Sequence, residues 1–250
     1  MVDSKIGKPR DVLLQAALNG RRTKADHPAV PISVEELARD AADCVSAGAR
    51  AIHLHPHNRE GLERLDAELV DAIVVKVRDA CGVPIGVTTG AWIEPDLERR
   101  LAAVREWREP DYASVNLSEP GSTEIMQALI QAGVGIEAGV CSTEGVERLV
   151  NSGVGDRVIR ILVEPFEVRA DDALRIVEEI HQALDRVGLT APRLQHGDGE
   201  SAWLLLTDAI RRGLDTRIGL EDALTEPNGE RTTGNPSLVR TAQRLIAAAR

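Results

Sequence analysis

Ala51-Ile52-His53-Leu54-His55-Pro56-His57-Asn58 is the stretch from which the rest of the chain can be read. Ala51, Ile52 and Leu54 are apolar residues of the kind that builds a buried strand, and His53 and His55 alternate with Leu54. Residues two apart on a strand share a face, so the two imidazoles project side by side. Pro56 has no N–H to donate and ends the ladder. The pair therefore stands at the end of the strand. Two imidazoles converging there make half of a metal site. A lone H-x-H is a weak motif, and two hydrogen-bonded structural histidines are the commonplace alternative. Position favours the metal, because the chain has only six His and these two fall where α/β enzymes keep their chemistry.

Outward from this strand the pattern repeats. Upstream, Ser33 and Glu36 form a helix start, with Ser33 as N-cap and Glu36 three residues on, and Gly48 supplies the stop. Downstream, a loop leads into a second helix and then the apolar run Val83 to Thr89. Strands are expected over 11–18, 50–55, 83–89, 112–117, 134–140, 157–164, 193–196 and 216–220. Helices are expected over 33–47, 66–80, 94–107, 123–132, 142–152, 170–187, 201–212 and 237–249. Short apolar strands alternating with helices are parallel βα units. Eight of them in 250 residues fit a closed (β/α)8 TIM barrel better than an open doubly wound sheet. No G-x-G-x-x-G follows the first strand, which weakens a dinucleotide-binding alternative. No linker or composition shift breaks the chain, so residues 1–250 read as one domain.

Composition narrows the function. The hydrophobic fraction is 43% and the aromatic fraction 2%, so the core is aliphatic, as parallel strands prefer. The net charge of −10 argues against a nucleic-acid partner, which needs a basic stripe. Cys44, Cys81 and Cys141 are odd in number and widely spaced, with no CxxC. That usage points to a reduced, cytoplasmic protein rather than a disulfide framework or a Cys-ligated zinc. Residues 1–10 are polar and lack an apolar signal-peptide core. No run of about 18 apolar residues exists, so no membrane span is expected.

Barrel enzymes work at the carboxyl ends of their strands. Those ends carry Asn19 and Gly20; His53, His55 and His57; Thr88 and Thr89; Ser114 and Asn116; Glu137; Glu164; His196 and Asp198; and Arg217, Glu221 and Asp222. Charged residues inside apolar strands are informative, although Glu137 also suits an ordinary structural ion pair. Two His plus a carboxylate is a familiar catalytic Zn²⁺ set. Glu221 is the best third ligand, because strands eight and two flank strand one. His196 is the alternative, and could equally bind substrate or be a structural His.

Taken together, these residues resemble the β-keto acid cleavage enzymes, a family that includes 3-keto-5-aminohexanoate cleavage enzyme. The resemblance covers almost the whole chain. It rests on the AALNG start, HPAVPIS-VEEL, AGARAIHLHP, the TTG turn, SVN, and TRIGLED followed by Asn235. It implies a zinc barrel that condenses a β-keto acid with acetyl-CoA as co-substrate, giving acetoacetate and a new acyl-CoA. Carried over by motif, His53, His55 and Glu221 hold the zinc. Asp222 is the general base that removes a C2 proton, positioned by Arg217. Thr88 stands where the family often has Ser. Asn19, Arg22, Thr89, Gly90, Ser114, Asn116, Glu137 and His196 are expected around the substrate. A homo-oligomer is expected, as is common for such barrels.

The chain also departs from the family. Members that act on amino-bearing substrates have an acidic residue in the first loop, where this chain reads Gly20-Arg21-Arg22-Thr23-Lys24. An ammonium group would meet like charge there, so the keto acid is expected to be neutral or anionic at its far end. The family often has Arg two residues past the second His. Here that residue is His57, with Arg59 nearby. The chain is somewhat short for the family, which points to a missing C-terminal segment. Rival readings are a metal-dependent hydrolase, a metal-dependent class II aldolase and a catalytically inactive acyl-CoA-sensing barrel. Strand one ends in Asn19, and strands four to six end in no His or Lys, which counts against the hydrolase. CoA dependence separates the aldolase. A sensing barrel would be expected to lose the zinc set or the base.

Overall fold

The computed structural model describes residues 11–166 and 169–249, and the statements below concern those residues. Residues 1–10, read above as lacking a leader core, lie outside them. Among the described residues, eight strands alternate with eight helices. They run β1 (Leu14–Ala17), α1 (Val34–Ser46), β2 (Ala51–Leu54), α2 (Ala67–Cys81), β3 (Ile85–Thr88), α3 (Leu97–Glu106), β4 (Tyr112–Asn116) and α4 (Ser122–Ala132). They continue with β5 (Gly135–Val140), α5 (Thr143–Asn151), β6 (Arg160–Val163), α6 (Ala170–Val187), β7 (Arg193–Gln195), α7 (Ala202–Arg212), β8 (Asp215–Ile218) and α8 (Asn235–Ala248). Every strand pairs in parallel with its sequence neighbours, and β8 returns to β1, closing the barrel. This is the single (β/α)8 barrel that the alternation implies.

The local signals act as read, with shifts at the ends. Ser33 Oγ accepts from the Glu36 N–H at 3.2 Å, and the Glu36 carboxylate accepts from the backbone N–H of Ile32 and Ser33. That reciprocal cap starts α1. Helix α3 starts three residues later than expected, because Asp96 rather than Glu94 is the cap and accepts from the Arg99 N–H. Helix α8 starts two residues earlier, since Pro236 sits in its first turn, where a missing N–H costs nothing. Strand β6 is shorter than expected because Gly155–Arg157 forms a single 3-10 turn ahead of it. No helix of the described residues is long and apolar enough to cross a membrane.

Side-chain alternation divides the strands between two environments. Leu14, Ala16, Ile52, Leu54, Ile85, Val87, Ile136 and Ile161 face the helices in the aliphatic layer, which also holds Leu37, Val70 and Val74. Gln15, His53, Tyr112, Glu137 and Arg217 turn into the barrel and are buried as well. Register sets what meets inside: Gln15 stands opposite Arg217, and Ala17 opposite His53. Gly219 closes the top of the seam. A Cβ there would lie 1.8 Å from the Ala17 carbonyl oxygen, so only glycine lets the chain after β8 turn across β1. That turn delivers Glu221 and Asp222 over the barrel mouth.

Candidate active site

The end of β2 is continued by a side chain. Asn19 accepts from the His55 N–H through Oδ1 and donates to the His55 carbonyl through Nδ2, both at 2.9 Å. It thus extends the ladder beyond the last strand residue and fixes His55 beside His53. Gly20, at φ +54°, gives way to Glu221, whose Cγ would lie 2.4 Å from a Cβ at that position. Glu221 then reaches both imidazoles, at 3.7 Å from His53 Nε2 and 3.7 Å from His55 Nε2. One ligand atom from each of the three residues lies within 4.8 Å of the others. His53, His55 and Glu221 therefore form a cluster able to hold a metal ion.

Arg217 organises the next layer. Its Nη2 donates to Glu221 Oε1 at 3.0 Å and to Asp222 Oδ1 at 2.8 Å. The second oxygen of Asp222 is buried without a hydrogen-bond partner. His196 Nδ1 lies 3.8 Å from Asp222 Oδ1, and its Nε2 lies 2.8 Å from Glu164 Oε2. All of these residues line one cavity of about 630 Å³, with Thr88, Ser114, Asn116, Asp198, Arg21, Arg22, Trp92 and Phe166 among the other walls.

The sequence profile of the beta-keto acid cleavage enzymes matches residues 11–149 and 171–250. The chain belongs to the β-keto acid cleavage enzyme family. A 3-keto-5-aminohexanoate cleavage enzyme of Fusobacterium nucleatum is 38% identical over 91 residues, which is 35% of this chain and 34% of the relative. Another, of Acetoanaerobium sticklandii, is 33% identical over 107 residues, 42% of this chain and 38% of the relative. The matched stretches span well under half of either enzyme. Among solved structures, ObcA in a ternary complex with a C4-CoA adduct and oxalate superposes with a TM-score of 0.68 at 16% identity. The match covers 88% of this chain and 64% of ObcA. A 3-dehydroquinate dehydratase from Geobacillus kaustophilus gives 0.63 at 12%, covering 95% and 91%. At such identities these likenesses show the fold alone.

In this β-keto acid cleavage family member, burial and charge set the ionisation around the cluster. Burial holds His53 down at about 3 and His196 at about 4, against the opposing pull of nearby carboxylates. Both imidazoles are therefore neutral at pH 7, the form that ligates metal. Burial pushes Glu164 up to about 8 despite Arg217. Burial also acts to raise Glu221, but the Arg217 guanidinium beside it overrides burial and holds its carboxyl well below the usual carboxylate range. For Asp222 the balance goes the other way: burial and neighbouring Glu221 outweigh Arg217 and His196, and its carboxyl is raised.

Four residues expected around the substrate in this family member are not among those lining the cavity: Asn19, Thr89, Gly90 and Glu137. Asn19 is consumed by the His55 backbone. Thr89 Oγ1 donates to the Ser114 carbonyl at 2.7 Å, tying β3 to β4. The Gly90 N–H donates to Thr88 Oγ1 at 3.1 Å. Glu137 accepts from Arg160 Nη1 at 2.5 Å and from Gln15 Nε2 at 3.0 Å, so it is the structural ion pair rather than a substrate contact. Neither His57 nor Arg59 lines the cavity. The His57 Nδ1 lies 2.9 Å from the His55 carbonyl, and the ring is buried. Arg59 is exposed. Conversely, Trp92, Phe166 and Ser118 line the cavity unforeseen. Trp92 had one usable signal: in a chain with three Trp, one Tyr and one Phe, an aromatic just after the strand-three turn stands out.

Proposed function

We propose that this protein is a zinc-dependent acyltransferase that cleaves a β-keto acid at the expense of acetyl-CoA. The observation that carries this reading is one open-mouthed cavity holding the His53, His55 and Glu221 donors beside Asp222 and Arg217. The donor set suits zinc: two imidazole nitrogens and a carboxylate oxygen are the ligands of a familiar catalytic site. Glu221 Oε2, buried with no hydrogen-bond partner, is the kind of atom such an ion satisfies. Bound there, zinc would polarise a ketone oxygen and offset the charge that develops when the adjacent carbon loses a proton.

The chain's own residues supply the rest. Asp222 Oδ2 accepts the C2 proton, and a carboxyl raised by burial is a stronger base than a solvated one. Arg217 keeps the other oxygen of Asp222 engaged and aims the free one into the cavity. The C2 carbanion attacks the thioester carbon of acetyl-CoA and expels the CoA thiolate. The thiolate then attacks the original ketone carbon, and the bond from that carbon to C2 breaks. Asp222 returns the proton to C2, so the products are acetoacetate and the new acyl-CoA. Thr88, Ser114 and Asn116 offer hydroxyl and amide groups to the substrate from the ends of β3 and β4. ObcA, of the same fold, was solved with a C4-CoA adduct, in keeping with a CoA thioester here.

The far end of the keto acid meets Arg21 and Arg22. Both line the cavity, and neither guanidinium makes a hydrogen bond or ion pair among the described residues. Asp26, the carboxylate near them, is engaged by the Thr23 N–H and hydroxyl at 2.8 Å each. A β-keto diacid such as β-ketoadipate or β-ketoglutarate suits that charge. The test is a panel of β-keto acids with acetyl-CoA and the zinc-loaded protein, followed by mass spectrometry. Acetoacetate and a new acyl-CoA from the diacids support the reading. Preference for 5-amino-3-ketohexanoate or dehydrocarnitine overturns the far-end assignment. Cleavage without any CoA ester favours a metal-dependent aldolase.

A further inference from the structure

Glu63 belongs to none of the motifs above, yet it touches the centre of the site. The loop after β2 doubles back on itself: Asn58 N–H donates to the Leu62 carbonyl and Arg64 N–H to the Pro56 carbonyl, each at 2.9 Å. The fold-back sets Glu63 opposite His57 and its carboxylate against His55. Oε1 lies 2.5 Å from His55 Nδ1, and Oε2 accepts from the Trp92 indole N–H at 3.0 Å. Trp92 in turn stacks on the His55 ring, with centroids 6.0 Å apart and planes 25° apart. Its indole rests on Gly90, where a Cβ would lie 2.3 Å from the ring. Arg21 covers Trp92 at 5.2 Å. His55 is thus gripped at its edge by Glu63 and on its face by Trp92. His53 has no such grip, for its Nδ1 is buried without a partner.

We propose that Glu63 is a positioning residue that holds His55 in the Nδ1–H form, aims Nε2 at Glu221, and so sets the metal affinity of the site. The proposal rests on reading His53, His55 and Glu221 as metal ligands. A histidine ligand whose other nitrogen donates to a carboxylate is fixed in tautomer and orientation and is a more basic ligand. Glu63 is suited to this because both of its oxygens accept, one from each ring. Glutamine at this position has one accepting oxygen and must abandon either His55 or Trp92. Trp92 is then a support for the carboxylate rather than a ligand, and it lies close enough to His55 to report on the site.

The experiment measures zinc affinity of the intact protein by competition with a chromophoric chelator, for wild type, Glu63→Gln, Glu63→Ala and Trp92→Phe. Nitrogen-15 NMR of the metal-free protein reads the His55 tautomer in parallel. The expected result is zinc binding about 10- to 100-fold weaker in both Glu63 variants. The His55 signal moves from an Nδ1–H tautomer to a mixture, and melting of the metal-free protein is little changed. Trp92→Phe keeps the Glu63–His55 contact and is expected to retain zinc affinity within about threefold. Folded Glu63 variants that bind zinc as tightly as wild type, or keep the His55 tautomer, overturn the proposal. So does weaker binding that merely tracks a loss of fold in the metal-free protein. Wild-type protein that binds no zinc would instead refute the metal reading on which the proposal rests.

Discussion

Replacing Glu137 by Gln separates a structural carboxylate from a substrate contact. Glu137 is fully buried, and the Arg160 guanidinium that pairs with it has a side chain only 12% exposed. Glutamine keeps the shape of the side chain and one acceptor, but leaves the Arg160 charge uncompensated inside the barrel. Breaking a buried pair by removing one partner costs about 3 to 5 kcal/mol. In a domain of this size each kcal/mol lowers the melting temperature by about 2 to 4 °C, so the expected fall is about 6 to 20 °C. Thermal melting followed by circular dichroism measures it. Steady-state kinetics at 20 °C, where the variant is folded, are expected to show kcat/KM within about threefold of wild type, because Glu137 stands outside the cavity. Replacing Arg160 by Met together with Glu137 by Leu is expected to recover much of the loss, since an apolar pair carries no stranded charge. An unchanged melting temperature with a tenfold or greater fall in kcat/KM would refute the reasoning and return Glu137 to the substrate.

Three more outcomes follow from the same geometry. Burial pushes Asp40 up to about 7 despite the hydrogen bond from Asn235. The native state therefore favours its protonated form, and that contribution is complete below about pH 4 and lost as pH rises through about 7. Asp40→Asn is accordingly expected to be more stable than wild type at pH 8.5, by on the order of 4 kcal/mol, to show a smaller gain at about pH 5.5, and to lie close to wild type at about pH 4; a pH-independent difference would contradict this. Asn235 accepts from the Leu220 N–H at 2.6 Å and donates to the Leu18 carbonyl at 2.8 Å. Asn235→Ala strands both buried groups at about 1 to 3 kcal/mol each. It also loosens the residue before Glu221, so lower melting and weaker zinc binding should appear together in melts and chelator competition. Arg22→Ala is expected to raise KM for β-keto diacids about tenfold, the loss of one charge-assisted hydrogen bond, with kcat nearly kept. Equal KM in both proteins would place the far end elsewhere.

The barrel was legible because parallel strands leave a repeated signature: apolar runs, polar ends and glycine stops at a steady interval. His53 and His55 were legible for the same reason, since a period of two survives in sequence. Depth inside the barrel was not. Alternation says that Glu137 points inward, but not that Glu164 and Asn116 of the neighbouring strands meet one level higher, beside Gly139, where they occupy the space a side chain would take. The engagement of Asn19 was not legible for a related reason: a polar residue at a strand end can serve the backbone of its neighbour, as Asn19 serves His55, as readily as a ligand. Glu63 carried no periodic signal at all. Its contact with His55 depends on how one loop folds back, which is set by turn hydrogen bonds of Asn58 rather than by spacing along an element.

The most direct test follows carbon. Wild-type zinc protein is given an unlabelled β-keto diacid and acetyl-CoA carrying carbon-13 in both acetyl carbons, beside the Asp222→Asn variant with its zinc content measured. The account predicts that acetoacetate gains two mass units, that the new acyl-CoA gains none, and that the variant keeps its zinc while losing turnover. Label in the new acyl-CoA, acetate in place of acetoacetate, or full turnover by the variant would contradict it.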